Sequence, residues 1–544
     1  MRSNHTVEST QKQLQTKKEN GKCKVSTFSF NQETSRKELT NMISIHEYPP
    51  SMVEHWAFKR FIVSLQPMFR FVSRNTIKSD ILKIYDYERA KTMSLLDSNR
   101  SRIAITTNMW TSSNQQNGFM AITSHFIDDN WELQSRIIRF LYVPCPHTTE
   151  VLSEAFLSCL LEWSIDNKLS ALIVDNFTTN DAMIDILLEK ISSHSVSLNR
   201  DLFHMCCAAH ILNLIVKEGM SVISDSIERI RYCVLFWSAT PKRQKTFYGT
   251  ARKCNISCNR NLVQDCKTRW NSIYLMLDRA LVFKEVFSRL KQREPLYKSL
   301  PTKEDWVFTK EIRDRLESFY EVTTLFSGTR YPTTNIYFSS ICEIKLSIYE
   351  WTVVHGFMAM AAVLDLRFKM KLIEYYFDLM YGDGAQKEIE NVRSFCYDML
   401  KDYPARCKSK ENSQVPAQAS VASSSRVVVA HSKLGKPIAR DVLVIPVSTV
   451  AFKLAFSTGG RFVSPHRSRL HPKTVEALMC AQNWLCAEFD DADSSNKAGN
   501  SKFVEDEDIV DEASCWMGAC GGEEMKYLLL ELVLNDNMKC NCYF

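Results

Sequence analysis

Between Arg102 and Ile191 the hydrophobic period of this chain switches from helical to alternating and back, and the order of those switches narrows the fold more than any other feature. Ile103-Ala104-Ile105-Thr106-Thr107-Asn108 reads as a strand. Asn117-Gly118 opens a second over Phe119 to Ile127, and Asp128-Asp129-Asn130 turns it into a third, Trp131 to Val143. Three strands joined by short polar turns make an antiparallel meander. A helix over Thr149 to Asn167 follows, then the wholly apolar Ala171-Leu172-Ile173-Val174, ending on Asp175-Asn176. A strand without polar alternation belongs at the centre of a sheet covered on both faces. Asn180 to Ile191 is helical again.

Three antiparallel strands, a crossover helix and a buried strand ending in a carboxylate resemble the order of an RNase H-like core. In that architecture the first and fourth strands each end in an acid and a later helix brings a third. Two divalent cations about 3.5 to 4 Å apart stabilise the attacking and leaving oxygens there, and carboxylates must bridge them. The position of each acid therefore matters more than the acidic content.

The chain before and after this core is mostly helical in pattern. Met1 to Lys24 is polar and basic, which predicts a disordered arm and no secretory signal. Glu33 to His46 carries Leu39, Met42, Ile43 and His46 on one face and ends at Pro49-Pro50; Val53 to Leu65 sets Val53, Trp56, Phe61 and Leu65 toward a core; Asn75 can cap a helix to about Leu96. Near the far end, Leu443 to Val447 is a short apolar segment, and Ser448 to Ser457 is a helix that Ser448 or Thr449 can cap and that Thr458-Gly459-Gly460 should stop. After a basic loop with Arg461, His466, Arg467, Arg469 and His471, Pro472 to Leu485 places Val475, Leu478, Met479, Gln482 and Leu485 on one helical face. That face needs a partner.

Charge and cysteine usage limit the classes of function. Glu488 to Met525 holds twelve Asp and Glu against Lys497 and Lys502, a local charge of −10 that leaves +16 on the remaining chain from a total of +6. A basic body suits a polyanion. No apolar run reaches the roughly 18 residues of a membrane span. The 18 cysteines lack a disulfide-scaffold rhythm, so the expectation is an intracellular protein with reduced thiols.

Five blocks then resemble, in order, those of plant hAT transposase-like proteins, the BED-finger RICESLEEPER and DAYSLEEPER group. They are TTNMWTS (Thr106 to Ser112), VDNFTTND (Val174 to Asp181), FHMCCAAHILNLIV (Phe203 to Val216), KTRWNSIYLML (Lys267 to Leu277) and the stretch Ala439 to Leu485. The resemblance implies an α/β fold with an all-α insertion: an RNase H-like core with a helical N-terminal region, a helical insertion domain and a C-terminal dimerisation segment. In residue numbers it implies a basic arm 1–27, a helical region 28–100, the first part of the core 101–281, the insertion 282–403, a linker 404–438, the dimerisation segment 439–487 completing the core, and an unmatched acidic tail 488–544. The BED finger that usually opens such proteins is not recognisable before Phe28, where only His5 and Cys23 could serve.

The family's active members carry acids in the first two blocks and a glutamate in the helix of the last. Those positions here are Asn108, Asp175 and Lys453, and only Asp175 is an acid. An amide is a poor anchor for a hard cation, and a lysine puts positive charge where cations should bind. The Mg²⁺ or Mn²⁺ site is expected to be lost, with no catalytic residue active and no cofactor; Asp181, six residues beyond Asp175, is a weak substitute. Cys207 and His210, at i and i+3 on an apolar helix, read either as half a zinc site or as a structural pair, and the absence of a second close pair favours the structural reading. Trp270 resembles a tryptophan that stacks near a flipped base, or is a core aromatic; Arg269, Arg461 and Arg467 are its candidate DNA-binding companions. The resulting expectation is a catalytically inactive, transposon-derived nuclear protein. It binds DNA non-specifically and forms a homodimer, or a heterodimer with related hAT proteins, through Val475, Leu478, Met479, Gln482 and Leu485. A protein-interaction relic without DNA binding and an active DDE-type nuclease are the alternatives.

Overall fold

The computed structural model describes residues 13–19, 22–28, 30–112, 117–145, 147–175, 178–191, 203–221, 224–256, 261–266, 270–348, 356–365, 367–407, 437–463 and 470–496. Two compact units divide the chain: Met1–Lys91 with Pro465–Gly499, and the body that begins at Thr92 and runs to Ser464. The expected linker core at 408–436 and the acidic tail beyond 496 lie outside the described residues.

In the first unit, Gln13–Glu19 (β1) and Lys22–Phe28 (β2) pair antiparallel with Lys18 opposite Cys23. Strands thus stand at 13–19 and 22–28, where a disordered arm is expected; the rest of 1–27 lies outside the described residues. Asn20-Gly21, between the two strands in the sequence, is a strong hairpin signal that composition alone obscures. Helix α1 (Gln32–Ile45) starts where the Asn31 side chain accepts the backbone N–H groups of Glu33 and Thr34 at 2.9 and 3.1 Å. Helix α2 (Trp56–Leu65) has no buried residue. His55, in extended conformation at ψ 134°, separates it from the 3₁₀ turn Pro50–Glu54, so the single face expected for Val53, Trp56, Phe61 and Leu65 does not form. Val53 is buried while Trp56, Phe61 and Leu65 stay exposed. Helix α3 (Arg74–Ser98) follows.

The second unit is built on one five-stranded sheet. Ile103–Thr111 (β3), Gly118–Ile127 (β4) and Leu133–Val143 (β5) form the expected meander. Helix α4 (Thr149–Glu162) stops short of the expected Asn167, because the chain turns through Ser164 at φ 53° before entering Leu169–Val174 (β6). Every residue of β6 and β4 is buried, as an apolar run at a covered sheet centre requires. Helix α5 (Thr178–Lys190) precedes the short strand His204–Cys206 (β7). The strand order is β5-β4-β3-β6-β7, antiparallel from β5 to β3 and parallel from β3 to β7.

A helical stretch follows: α6 (Ala208–Ser221), α7 (Ser224–Ser238), α8 (Pro241–Lys253), α9 (Trp270–Val282), α10 (Lys284–Lys291), α11 (Lys303–Phe326), α12 (Thr334–Ile348), α13 (Gly356–Leu364), α14 (Met370–Tyr381) and α15 (Ala385–Cys407). A short helix at 437–443 (α16) then brings the chain back to the sheet, where Asp441 accepts the Arg102 backbone N–H at 2.9 Å. Helix α17 (Val450–Phe462) packs on β3 and β4. It continues through Gly459-Gly460, which were expected to stop it. A Cβ at Gly459 would lie 2.8 Å from the Phe140 ring, so the glycine serves close helix–sheet approach instead. Phe456 beside it stacks on Trp110 at 5.9 Å.

Helix α18 (Pro472–Asn496) belongs to the first unit. No helix among the described residues is long and apolar enough to cross a membrane.

Candidate functional site

The ends of β3 and β6 lie side by side because these strands pair in parallel, with Thr106 opposite Ile173. Two residues on, Asn108 and Asp175 meet: the Asn108 side-chain amide donates to Asp175 Oδ2 at 2.7 Å. The other end of that amide is also engaged, since Asn108 Oδ1 accepts the Met109 backbone N–H at 2.7 Å. This network fixes which end of the amide faces Asp175. Asp175 itself is wholly buried.

The second oxygen of Asp175 is met from the far end of the chain. Thr449, at the start of α17, donates its hydroxyl to Asp175 Oδ1 at 2.8 Å. It was expected to cap α17, yet it makes no side-chain cap bond there, and Ser448 turns away to donate to the Phe326 carbonyl at 2.6 Å. A buried carboxylate is the stronger acceptor, so the hydroxyl goes to it rather than to the helix. Cys207 closes the group: its Sγ lies 3.0 Å from Thr449 Oγ1 and accepts the Thr449 backbone N–H at 3.4 Å. His210 Nδ1 stands 4.0 Å from Asp175 Oδ2.

Cys207 precedes α6 rather than riding on it, because its backbone N–H donates to the Val174 carbonyl at 3.0 Å and so prolongs the strand. The CxxH spacing nonetheless brings His210 to within 4.0 Å of the carboxylate and Cys207 to the Thr449 hydroxyl that donates to it. Neither that convergence nor the role of Thr449 was recognised in the sequence. The signal available was a CxxH block directly after a strand, and a hydroxyl residue opening the helix of the last block. Lys453 is on the described backbone of α17, but its side chain lies outside the described residues, as does that of Asp181. Among the described residues no three His, Cys, Asp or Glu side chains form a cage for a metal ion.

The other nominated residues separate. Trp270 is buried, edge-on to Phe319 at 6.4 Å, in keeping with the core reading of the two open to it. Arg461 is exposed on α17 and donates to Thr458 Oγ1 at 3.1 Å. Arg269 and Arg467 fall outside the described residues. The face expected to meet a second copy is buried in the single chain. Val475, Leu478, Met479 and Leu485 are all buried, and the Gln482 amide donates to the Ile45 carbonyl and to Glu47 Oε1, both at 3.0 Å. Leu485 and Ala481 pack with Ile84, while Trp484 stacks on Tyr85 at 5.5 Å. Helices α1 and α3 thus pack on the part of the stripe from Ala481 to Leu485.

One further buried group sits on the sheet. His125 on β4 shares a 2.9 Å hydrogen bond with Thr106 Oγ1, and burial pushes its pKa down to about 4.

Comparison with known families accounts for most of the chain. Residues 106–202 match the ZBED1 RNase-like domain and 205–314 the ZBED1 RNase-like helical domain. Residues 349–403 match the hAT-like transposase, RNase-H fold, and 436–485 the hAT family C-terminal dimerisation region. The chain is 32% identical to a putative AC transposase of Zea mays, over 90% of its own length and 70% of the relative's. It is 29% identical to the zinc finger BED domain-containing protein RICESLEEPER 2 of Oryza sativa subsp. japonica, covering 84% and 75% of the two chains. With DAYSLEEPER of Arabidopsis thaliana it shares 27%, over 87% and 76%.

Proposed function

The chain belongs to the hAT transposase family, and from that premise we propose that it is a domesticated or degenerate member: a catalytically inactive nuclear protein that binds duplex DNA without sequence preference and dimerises. The observation that carries the loss of catalysis is the state of Asp175. A divalent cation needs carboxylate oxygens with free lone pairs facing a space it can enter, and preferably two or three such groups. Here the carboxylate has no exposure, one oxygen takes the Asn108 amide and the other the Thr449 hydroxyl. The residue paired with Asp175 contributes an N–H, not an oxygen. These groups do not fit a metal pair, so no step of strand transfer is derived through one.

DNA as partner rests on the basic body and on relatives whose names call them transposases. Nuclear location follows from that partner. Dimerisation rests on the matched C-terminal region, residues 436–485. Incubating the full chain with an end-labelled duplex and Mn²⁺ tests the catalytic reading. We expect intact DNA from the wild type and from Asp175→Ala alike; cleavage that Asp175→Ala abolishes would show an active nuclease.

A further inference from the structure

Several cations of the helical region are neutralised where they stand. Arg229 pairs with Asp305, Arg231 with Asp265 and Glu228, Arg279 with Asp278, and Arg313 with Asp314 and Glu317. Helix α8, with the sequence PKRQKTFYGTARK, differs in having five Lys and Arg and no acid. Its inner face is set by Phe247, Thr250 and Ala251, all buried, with Phe247 against Phe283 and Phe287 at 5.3 and 5.1 Å. Arg243 lies on that side, its guanidinium 3.9 Å from the Phe236 ring centre.

The outer face follows from the helical period. Lys242, Lys245, Gly249, Arg252 and Lys253 recur at i, i+3, i+7, i+10 and i+11, opposite the buried stripe, and all four cations are exposed. No carboxylate pairs with any of the four among the described residues. Lys242 and Lys245, three residues apart, repel by about 0.2–0.5 kcal/mol as a pair would in an isolated helix, a cost that a polyanion on this face would remove. Gly249, in the middle of the stripe, has nothing within 4 Å of where a Cβ would stand, which leaves a notch where a ligand backbone can approach closely.

We infer that the outer face of α8 is the surface on which this protein holds DNA, with Lys242, Lys245, Arg252 and Lys253 contacting phosphates of one duplex. The inference rests on the DNA-binding reading above and gives it a location. At 1.5 Å per residue the stripe extends roughly 16 Å, the axial length of about five base pairs. Contacts to phosphates position a protein without reading sequence, which agrees with non-specific binding. The helix is what brings Arg252 and Lys253 onto one line with Lys242 and Lys245.

The test is fluorescence anisotropy of the full chain with a labelled 20-base-pair DNA duplex across salt concentrations. Each cation withdrawn from a phosphate should lower the slope of log affinity against log salt by about 0.9, so replacing all four cations with Gln should lower it by about 3 to 4. At about 50 mM salt the same replacement should weaken binding roughly 100-fold. Gly249→Glu provides a second variant that does not rely on deletion. It fills open space with a better helix former, and should raise the melting temperature while weakening DNA binding about tenfold. Wild-type binding with the affinity and slope unchanged in both variants overturns the α8 assignment and leaves DNA binding standing. No wild-type binding at about 50 mM salt overturns both, and preference for a duplex RNA of the same length overturns the choice of ligand.

Discussion

Asp175 at the head of the sheet and the apolar face of α18 both look, in the sequence, like groups waiting for something outside the chain: a cation for one, a second copy for the other. In the fold both are satisfied from within. Asp175 receives Asn108 and Thr449; the α18 face receives α1 and α3. The difference lies in how each was filled. At α18 the burial is apolar and reinforced by one amide, so the helix simply joins a core. At Asp175 a buried carboxyl meets a neutral donor on each oxygen, the arrangement on which the proposed loss of metal binding rests.

Perturbing the two places should separate them. The largest effect is expected at α18: Leu478 is wholly buried, and Leu478→Ala should destabilise its unit by about 2–5 kcal/mol in chemical denaturation. A loss under about 1 kcal/mol would mean that the face is open and available to another chain. Asp175→Ala should be milder, about 1–3 kcal/mol, because it takes the acceptor from the half-buried Asn108 amide and leaves the buried Thr449 hydroxyl only Cys207 Sγ. A carboxylate kept for metal chemistry would behave the other way, with its removal neutral or stabilising when no metal is present.

Acidity should divide the units by sign. His125 titrates near 4 when folded and near 6.5 when unfolded, so its neutral form supports the sheet fully above pH 6.5. That support is lost as pH falls toward 4, up to about 3 kcal/mol, and His125→Gln should flatten the decline in melting temperature. Glu88, in the α1–α3–α18 unit, has its pKa raised to about 7 by burial and by its hydrogen bond with Glu488, whose own pKa is lowered as Lys91 and Glu88 bond to it. The protonated Glu88 supports that unit at pH below about 4.5, and the support fades as pH rises through 7. Mild acid should therefore weaken one unit and strengthen the other, and Glu88→Gln should abolish the second response. The smallest effect is expected for Gln482→Ala, about 1 kcal/mol for two hydrogen bonds at a partly exposed site.

The strands, the crossover helix and the meeting of Asn108 with Asp175 were legible because period and turn residues are local, and because parallel pairing of β3 with β6 fixes which ends are neighbours. What escaped the sequence depends on contacts distant along the chain. Gly459-Gly460 reads as a stop until Phe140, more than three hundred residues earlier, is seen to need the space. Thr449 reads as a cap until a buried carboxylate competes for its hydroxyl. The amphipathic stripe of α18 specifies that a partner exists and cannot specify whose, since α1 offers the same chemistry as a second copy would. On α2 the pattern misled because a single extended residue, His55, rotated Trp56 away from Val53.

The central claim is that Asp175 is held by its neighbours and not kept for a cation. Titrating Mn²⁺ into the purified chain and following the free-ion signal by electron paramagnetic resonance tests it without requiring a substrate. The account predicts the same, weak uptake for the wild type and for Asp175→Ala; a site of micromolar affinity present in the wild type and lost with Asp175 would contradict it.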